Sequence, residues 1–194
     1  IDAVTRMATL ARQLGADSVE AVATSAVREA VNGEEFLARL RETANVSVRA
    51  LTGPEEARLS FRSALAHFDL GGCRAVTMDI GGGSLELALS ADGLLERLAS
   101  FPLGALRLTE RHFEKGTKRS ALADLRKAVR AELRGKLPYR AWRGAMCIGS
   151  GGTFTNLAGI FLARHGVHTA RTVHGTRIGR SELEHILDWL AEMS

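Results

Sequence analysis

Residues 74–90 read Arg74-Ala75-Val76-Thr77-Met78-Asp79-Ile80-Gly81-Gly82-Gly83-Ser84-Leu85-Glu86-Leu87-Ala88-Leu89-Ser90. The segment Arg74–Ile80 has the composition of a strand and carries Asp79 near its end. Leu85, Leu87 and Leu89 then alternate with Glu86, Ala88 and Ser90, the period-2 pattern of a half-buried strand. The glycines between them have two readings. They ease a tight hairpin, or they let backbone N–H groups point into one concave space that an anion can enter. Asp79 suits a metal ion or the orientation of a water, and Ser84 adds a hydroxyl donor.

Downstream, Asp92-Gly93 marks a turn before a third strand, Leu94–Ser100, and Pro102–Gly104 breaks it. Helices are expected over Ala105–Phe113 and Lys118–Arg134, the second with Leu122, Leu125, Val129 and Leu133 inward. A short buried strand, Ala145–Ile148, leads into a second glycine loop, Gly149-Ser150-Gly151-Gly152-Thr153, and a helix over Phe154–Ala163. A strand-to-helix junction presents free N–H groups and the positive helix end to a phosphate. A glycine-eased turn is the plain alternative. No Lys-Ser or Lys-Thr pair follows, so this is not a P-loop, and the dinucleotide-binding spacing fails too. His165–Arg180 reads as loop, and Ser181 with Glu184 has capping-box spacing at the start of a last helix.

Upstream, Val4, Met7, Ala8, Ala11 and Leu14 stand at helical spacing, followed by a strand over Ser18–Thr24 and a turn holding Arg28. A helix over Glu34–Ala44, a strand over Val46–Leu51 and a helix from Gly53-Pro54 to about Phe68 complete this half. Two strands alone make a marginal sheet, so the half reads as incomplete. Gly71-Gly72 is the expected boundary between residues 1–70 and 71–194. Glu55 and Glu56 fall in the first turn of their helix, where the dipole favours ionised carboxylates. They serve either as capping charge or, near bound phosphate, as general base on water. Arg28 past a strand end suits bidentate phosphate contact, or pairs with a neighbouring acid.

With 194 residues, 45% hydrophobic and 25% charged, the chain can bury a core without staples and is neither disordered nor collagen-like. Aromatic residues at 5% and three prolines disfavour stacking surfaces for carbohydrate or RNA and a proline-rich ligand. The net charge of +4 is spread along the chain, implying mild attraction for anions and no nucleic-acid arm. Cys73 and Cys147 lie in or beside apolar runs, which favours a reduced, cytoplasmic setting. No apolar run reaches the ~18 residues of a membrane span. His165, His168 and His174 with Cys147 match no zinc ligand spacing.

Four segments taken together resemble the exopolyphosphatase / guanosine pentaphosphate phosphatase family: Ala23–Ala30, Gly53–Leu59, Asp79–Ser84 and Gly149–Thr153, in that order and near that spacing. Pro102–Ala105 is similar to a further family segment. The resemblance implies an α/β, actin-like fold of the sugar kinase and heat-shock ATPase type, with two related domains flanking a cleft. Residues 1–70 would be the later part of the first domain and 71–194 the early and central part of the second. It implies Glu56 as the base that activates water and Arg28 as a phosphate contact. Gly81, Gly82, Gly83 and Ser84 would cradle phosphate, with Gly149, Ser150, Gly151, Gly152 and Thr153 opposite. Asp79 and Glu86 would organise Mg²⁺. The implied substrate is inorganic polyphosphate, with guanosine pentaphosphate as the alternative within the class and a non-catalytic phosphate or nucleotide sensor outside it. A homodimer is the protein partner left open. Leu85 stands where the family often has Thr, and the family's opening Asp-x-Gly-Ser-Asn-Ser loop occurs nowhere in the chain. With Ile1 rather than Met at its start, the chain is expected to be the middle of a longer protein, with little activity by itself.

Overall fold

The computed structural model describes residues 1–114, 116, 119–134, 136–137, 139–168 and 172–193. The chain forms two compact units, Ile1–Glu56 and Ala57–Ser194.

In the first unit, α1 (Asp2–Gln13), β1 (Glu20–Ala23), α2 (Ser25–Arg28), α3 (Gly33–Ala44) and β2 (Ser47–Ala50) follow in order, and α4 (Gly53–His67) begins. The turn expected around Arg28 is a single helical turn. β1 and β2 pair in parallel, Glu20 opposite Ser47 through Ala23 opposite Ala50. A parallel pair needs a crossover, which α2 and α3 supply. Ala8, Leu37, Leu40, Ala44, Val46 and Val48 form the core. Asn45 closes α3 in the left-handed conformation, and the Arg12 guanidinium donates to the Ala44 and Asn45 carbonyls, tying α1 to that end.

The second unit is built on a four-stranded sheet in the order β5-β4-β3-β6. β3 (Arg74–Ile80), β4 (Leu85–Ala91) and β5 (Leu94–Phe101) form an antiparallel meander. α5 (Ala105–Phe113), α6 (Arg119–Arg134) and a 3₁₀ turn at Tyr139–Trp142 carry the chain back to β6 (Met146–Ser150), which joins β3 in parallel. α7 (Gly152–Arg164) and α8 (Arg180–Glu192) follow. Period-2 alternation gives the sheet two different faces. Val76, Leu85, Leu87, Leu89 and Phe101 pack under Leu108 of α5 and Val129 and Leu133 of α6. The other face carries small residues, Ala75 and Ala88, against Phe61 of α4 and Leu70.

Two expectations of local structure are corrected, and the limit between the compact units is located. β4 is not half-buried: Leu85 to Ser90 are all buried, because helices cover both faces and Glu86, Ala88 and Ser90 meet protein instead of water. The units divide at Glu56/Ala57, so Gly71-Gly72 lies inside the second; Phe61 packs with Leu70, Ala75 and Ala88 and ties most of α4 to the second sheet. Ser181 makes no capping box, since α8 begins one residue earlier with Gly179 at its N-cap, and Glu184 instead accepts from Arg180 Nε at 2.9 Å. The expected start of α6 at Lys118 lies outside the described residues.

Candidate functional site

In the first unit the two adjacent carboxylates of α4 have different partners. Glu55 Oε2 accepts from the Thr52 N–H at 2.7 Å and the Thr52 hydroxyl at 2.9 Å, while the Glu55 N–H donates to Thr52 Oγ1 at 3.3 Å. This is a reciprocal capping box. Arg49 Nη1 donates to Glu55 Oε1 at 2.8 Å. The Thr52 N–H first, then its hydroxyl and Arg49, hold the Glu55 carboxyl down at about 2. Glu56 takes no part in the cap. Its half-buried carboxylate accepts from Arg28 Nη1, which also donates to the Leu51 carbonyl. Arg28 therefore meets a carboxylate, the alternative left open by its position, and Glu56 is the acid it holds. The Thr52-x-x-Glu55 spacing was a readable signal for this division of roles.

In the second unit register brings the polar residues into one row. Asp79 stands opposite Ser150 on β6 and opposite Glu86 on β4, and Glu86 stands opposite Ser100 on β5. Glu86 is 5% exposed and accepts from the Ser100 hydroxyl at 2.9 Å. Ser150 Oγ lies 3.2 Å from Ser60 Oγ and 3.4 Å from the Met78 carbonyl. The row crosses the sheet at the C-terminal ends of the parallel strands β3 and β6, the end at which α/β sheets bind ligands. Ser100 and Ser60 carry no sequence signal; a lone serine becomes legible only through its partner.

The first glycine loop closes with the Gly81 N–H on the Ser84 carbonyl. Its carbonyls are engaged from one side: Gly81 accepts from the Ala105 N–H at 2.9 Å, Gly82 from the Arg107 N–H at 3.1 Å, and Gly83 from Arg107 Nε at 2.8 Å. The start of α5 is packed so closely that a Cβ on Gly104 would lie 2.3 Å from the Gly82 carbonyl oxygen. Among the described residues, the Gly82, Gly83 and Ser84 N–H groups donate to no backbone carbonyl.

The second glycine segment is shorter as a loop than expected. Gly149 and Ser150 belong to β6, Gly152 and Thr153 to α7, and Gly151 alone links them. Pairing with β3 carries β6 two residues past Ile148, Met78 facing Gly149 and Asp79 facing Ser150. Gly149 has a packing reason, because a Cβ there would sit 2.3 Å from the Phe154 ring. Gly151 has φ of 85°, and a Cβ would fall 2.5 Å from Asp79 Oδ1 and 2.8 Å from the Ile80 carbonyl oxygen. α7 starts without a side-chain cap, which leaves its first-turn N–H groups for solvent or an anion. Thr153 Oγ1 reaches the Ile80 carbonyl at 3.5 Å.

The family model of the Ppx/GppA phosphatase family matches residues 1–194. The chain belongs to the Ppx/GppA phosphatase family. Exopolyphosphatase 1 of Mycobacterium tuberculosis is 40% identical over 109 residues, 56% of this chain and 32% of that protein. Exopolyphosphatase 1 of Mycobacterium leprae matches with the same identity and coverage. The crystal structure of the Aquifex aeolicus family member superposes with a TM-score of 0.79 at 25% identity, covering 98% of this chain and 61% of that one. An exopolyphosphatase from Cytophaga hutchinsonii gives 0.87 at 23% identity, covering 98% and 62%, and supports the fold alone. The chain thus spans about a third of the curated relatives' length in its matches to them. The α/β fold expected from the sequence is the fold these family structures share with the chain. No group of three or more His, Cys, Asp or Glu side chains placed to hold a metal occurs among the described residues, and no described helix is long and apolar enough to cross a membrane.

Proposed function

We propose that a full-length family member carrying this sequence hydrolyses the terminal phosphoanhydride of inorganic polyphosphate, with Glu56 as general base. The supporting observation is the division of roles on α4: Glu55 is consumed by the helix cap, and Glu56 is held by Arg28. A carboxylate oriented by a guanidinium and not engaged by the backbone can accept the proton of an attacking water. Arg28 Nη1 donates to Glu56 and the Leu51 carbonyl and Nη2 stands 3.9 Å from Glu29 Oε1; the remaining donors of its five-N–H fork suit a phosphate oxygen.

The amides of Gly82, Gly83 and Ser84, which donate to no backbone carbonyl among the described residues, and the uncapped start of α7 at Gly151-Gly152-Thr153 suit phosphate oxygens as donors. Gly149 and Ser150 support that site from β6, where Ser150 stands opposite Asp79 in register and its hydroxyl meets Ser60 and the Met78 carbonyl. Asp79 and Glu86, directly opposite each other, fit Mg²⁺, which takes one or two carboxylates and fills its shell with water and substrate oxygens. When bound, Mg²⁺ would neutralise phosphate charge. Ser100 holds Glu86 in place through its hydroxyl.

The test is phosphate release by the full-length protein from long-chain polyphosphate and, in parallel, from guanosine pentaphosphate. Glu56→Gln is expected to lower turnover by about 10²–10⁴-fold, and Glu55→Gln far less. Equal losses from both variants, or faster release from guanosine pentaphosphate, would remove the proposal in its base or in its substrate respectively.

A further inference from the structure

The first turn of α5 receives the carbonyls of the first glycine loop in chain order. The Gly81 carbonyl accepts from the Ala105 N–H, the Gly82 carbonyl from the Arg107 N–H and the Gly83 carbonyl from Arg107 Nε at 2.8 Å. A helix start leaves its first N–H groups without intrahelical partners, and α5 has no side-chain cap, so the loop takes these donors up. The peptides of the loop are trans and planar, so a carbonyl held in one direction points the N–H of the next residue the opposite way. The carbonyls of Gly81, Gly82 and Gly83 share their peptides with the amides of Gly82, Gly83 and Ser84. Those are the three amides that donate to no backbone carbonyl among the described residues. The start of α5 therefore sets the direction of each. Two of the contacts come from main-chain N–H groups, which any residue but proline supplies. The third needs a side chain with a donor at the ε position, and it governs the Ser84 N–H. A cation in the first turn works against the helix dipole, so α5 by itself gives no reason for arginine at 107.

We propose that Arg107 is a positioning residue for phosphate: through the Gly83 carbonyl it aims the Ser84 N–H and strengthens it as a donor. This role rests on the proposed function, which makes the loop a phosphate cradle. A charged donor makes a stronger hydrogen bond than a neutral one. Electron density drawn onto the Gly83 oxygen leaves the Ser84 N–H more positive, the mutual polarisation of hydrogen bonds in series. Arg107 acts through the peptide and not on the phosphate, so the donor at Nε matters more than the formal charge. Two substitutions separate these properties. Glutamine carries its side-chain nitrogen as many bonds from Cα as Nε, and keeps the donor without the charge. Methionine carries a methyl group at that place, and keeps the bulk without the donor.

The experiment is amide ¹H–¹⁵N NMR of the 194-residue chain titrated with inorganic pyrophosphate. In the wild type the Gly82, Gly83 and Ser84 amides are expected to shift with one midpoint. Arg107→Met is expected to lose most of the Ser84 shift while Gly82 and Gly83, whose carbonyl partners are main-chain N–H groups, keep theirs. Arg107→Gln is expected to restore most of the Ser84 shift. In the full-length protein Arg107→Met is expected to lower turnover on long-chain polyphosphate about tenfold, less than the roughly 10²–10³-fold of a donor removed outright, because the Ser84 N–H is still there. Arg107→Gln is expected to recover most of that turnover. Circular dichroism monitors the fold. If Arg107→Met loses helix, the wild type decides: the Arg107 Nε–H resonance is expected to move at the same midpoint as the Ser84 amide, and an unmoved resonance would overturn the proposal. So would a Ser84 shift that survives Arg107→Met, a glutamine variant as defective as the methionine one, or three loop amides that do not respond in the wild type. The hydrolysis assay fails separately. A Ser84 response that depends on Arg107 in a protein without hydrolysis removes the proposed function and leaves this role; hydrolysis with a Ser84 response indifferent to Arg107 removes this role and leaves the function.

Discussion

Gly151 and Gly152 are neighbours in sequence, and the structure separates their roles sharply enough to measure. At Gly151 the backbone has φ of 85° and ψ of 170°, a region open in practice to glycine alone. Placing alanine there carries about 1–3 kcal/mol of backbone strain. The new Cβ would also stand 2.5 Å from Asp79 Oδ1 and 2.8 Å from the Ile80 carbonyl oxygen. Of those neighbours the carbonyl is fixed in β3, so relief has to come from a shift of backbone, an overpacking effect of about 1–3 kcal/mol. Gly151→Ala should therefore destabilise the second unit by about 2–6 kcal/mol, the sum of the two. Gly152 is the first residue of α7, and a Cβ there meets nothing within 4 Å. Gly152→Ala should be neutral or stabilising by up to about 1 kcal/mol, through reduced freedom of the unfolded chain. Urea unfolding of the two variants and the wild type, followed by far-ultraviolet circular dichroism, gives the comparison. Equal midpoints for the two variants would refute the reasoning, because it predicts opposite outcomes for adjacent glycines.

Two further expectations concern carboxylates. Glu55 has its acidity held at about 2 against an ordinary 4.5, a depressed value in the folded state. The stability it confers is complete above pH 4.5 and is lost as pH falls toward 2, so Glu55→Gln should flatten the acid limb of the stability profile in that window without changing its shape near neutrality; an unchanged acid limb would contradict this. Ser100→Ala removes the hydroxyl donor of a buried acid and should cost about 1–3 kcal/mol, with Ser100→Thr retaining most of it, as chemical denaturation would show.

The hairpin from Arg74 to Ala91 was legible because period-2 alternation on each side of three glycines admits few other structures. The boundaries around Gly149 and Ser150 were not, since glycine reads as loop while pairing with β3 makes the segment strand. The burial of Glu86 was equally hidden: alternation announces a solvent face, and only the packing of Phe61 with Ala75 and Ala88 shows that this face is covered. Among the candidate site residues, Arg28 and Asp79 stood out by their places at strand ends, and Glu56 and Glu86 through the family resemblance. Their partners Ser100 and Ser60 depend on register and on α4 lying over the sheet, neither of which is a local property of the chain.

The glycine loop at Gly81–Ser84 has its three glycine carbonyls tied to Ala105 and Arg107 while, among the described residues, the amides of Gly82, Gly83 and Ser84 donate to no backbone carbonyl. Glycine is the residue with the most backbone entropy to lose on ordering. Here that loss is incurred when the chain folds and α5 docks, before any ligand arrives. Under the proposed function a phosphate oxygen meeting these donors would not have to freeze the loop as it binds, so more of its interaction energy would remain as affinity. The peptide groups are asymmetric in their use: the carbonyl side fastens the loop, and the amide side is the one that the proposed function assigns to phosphate.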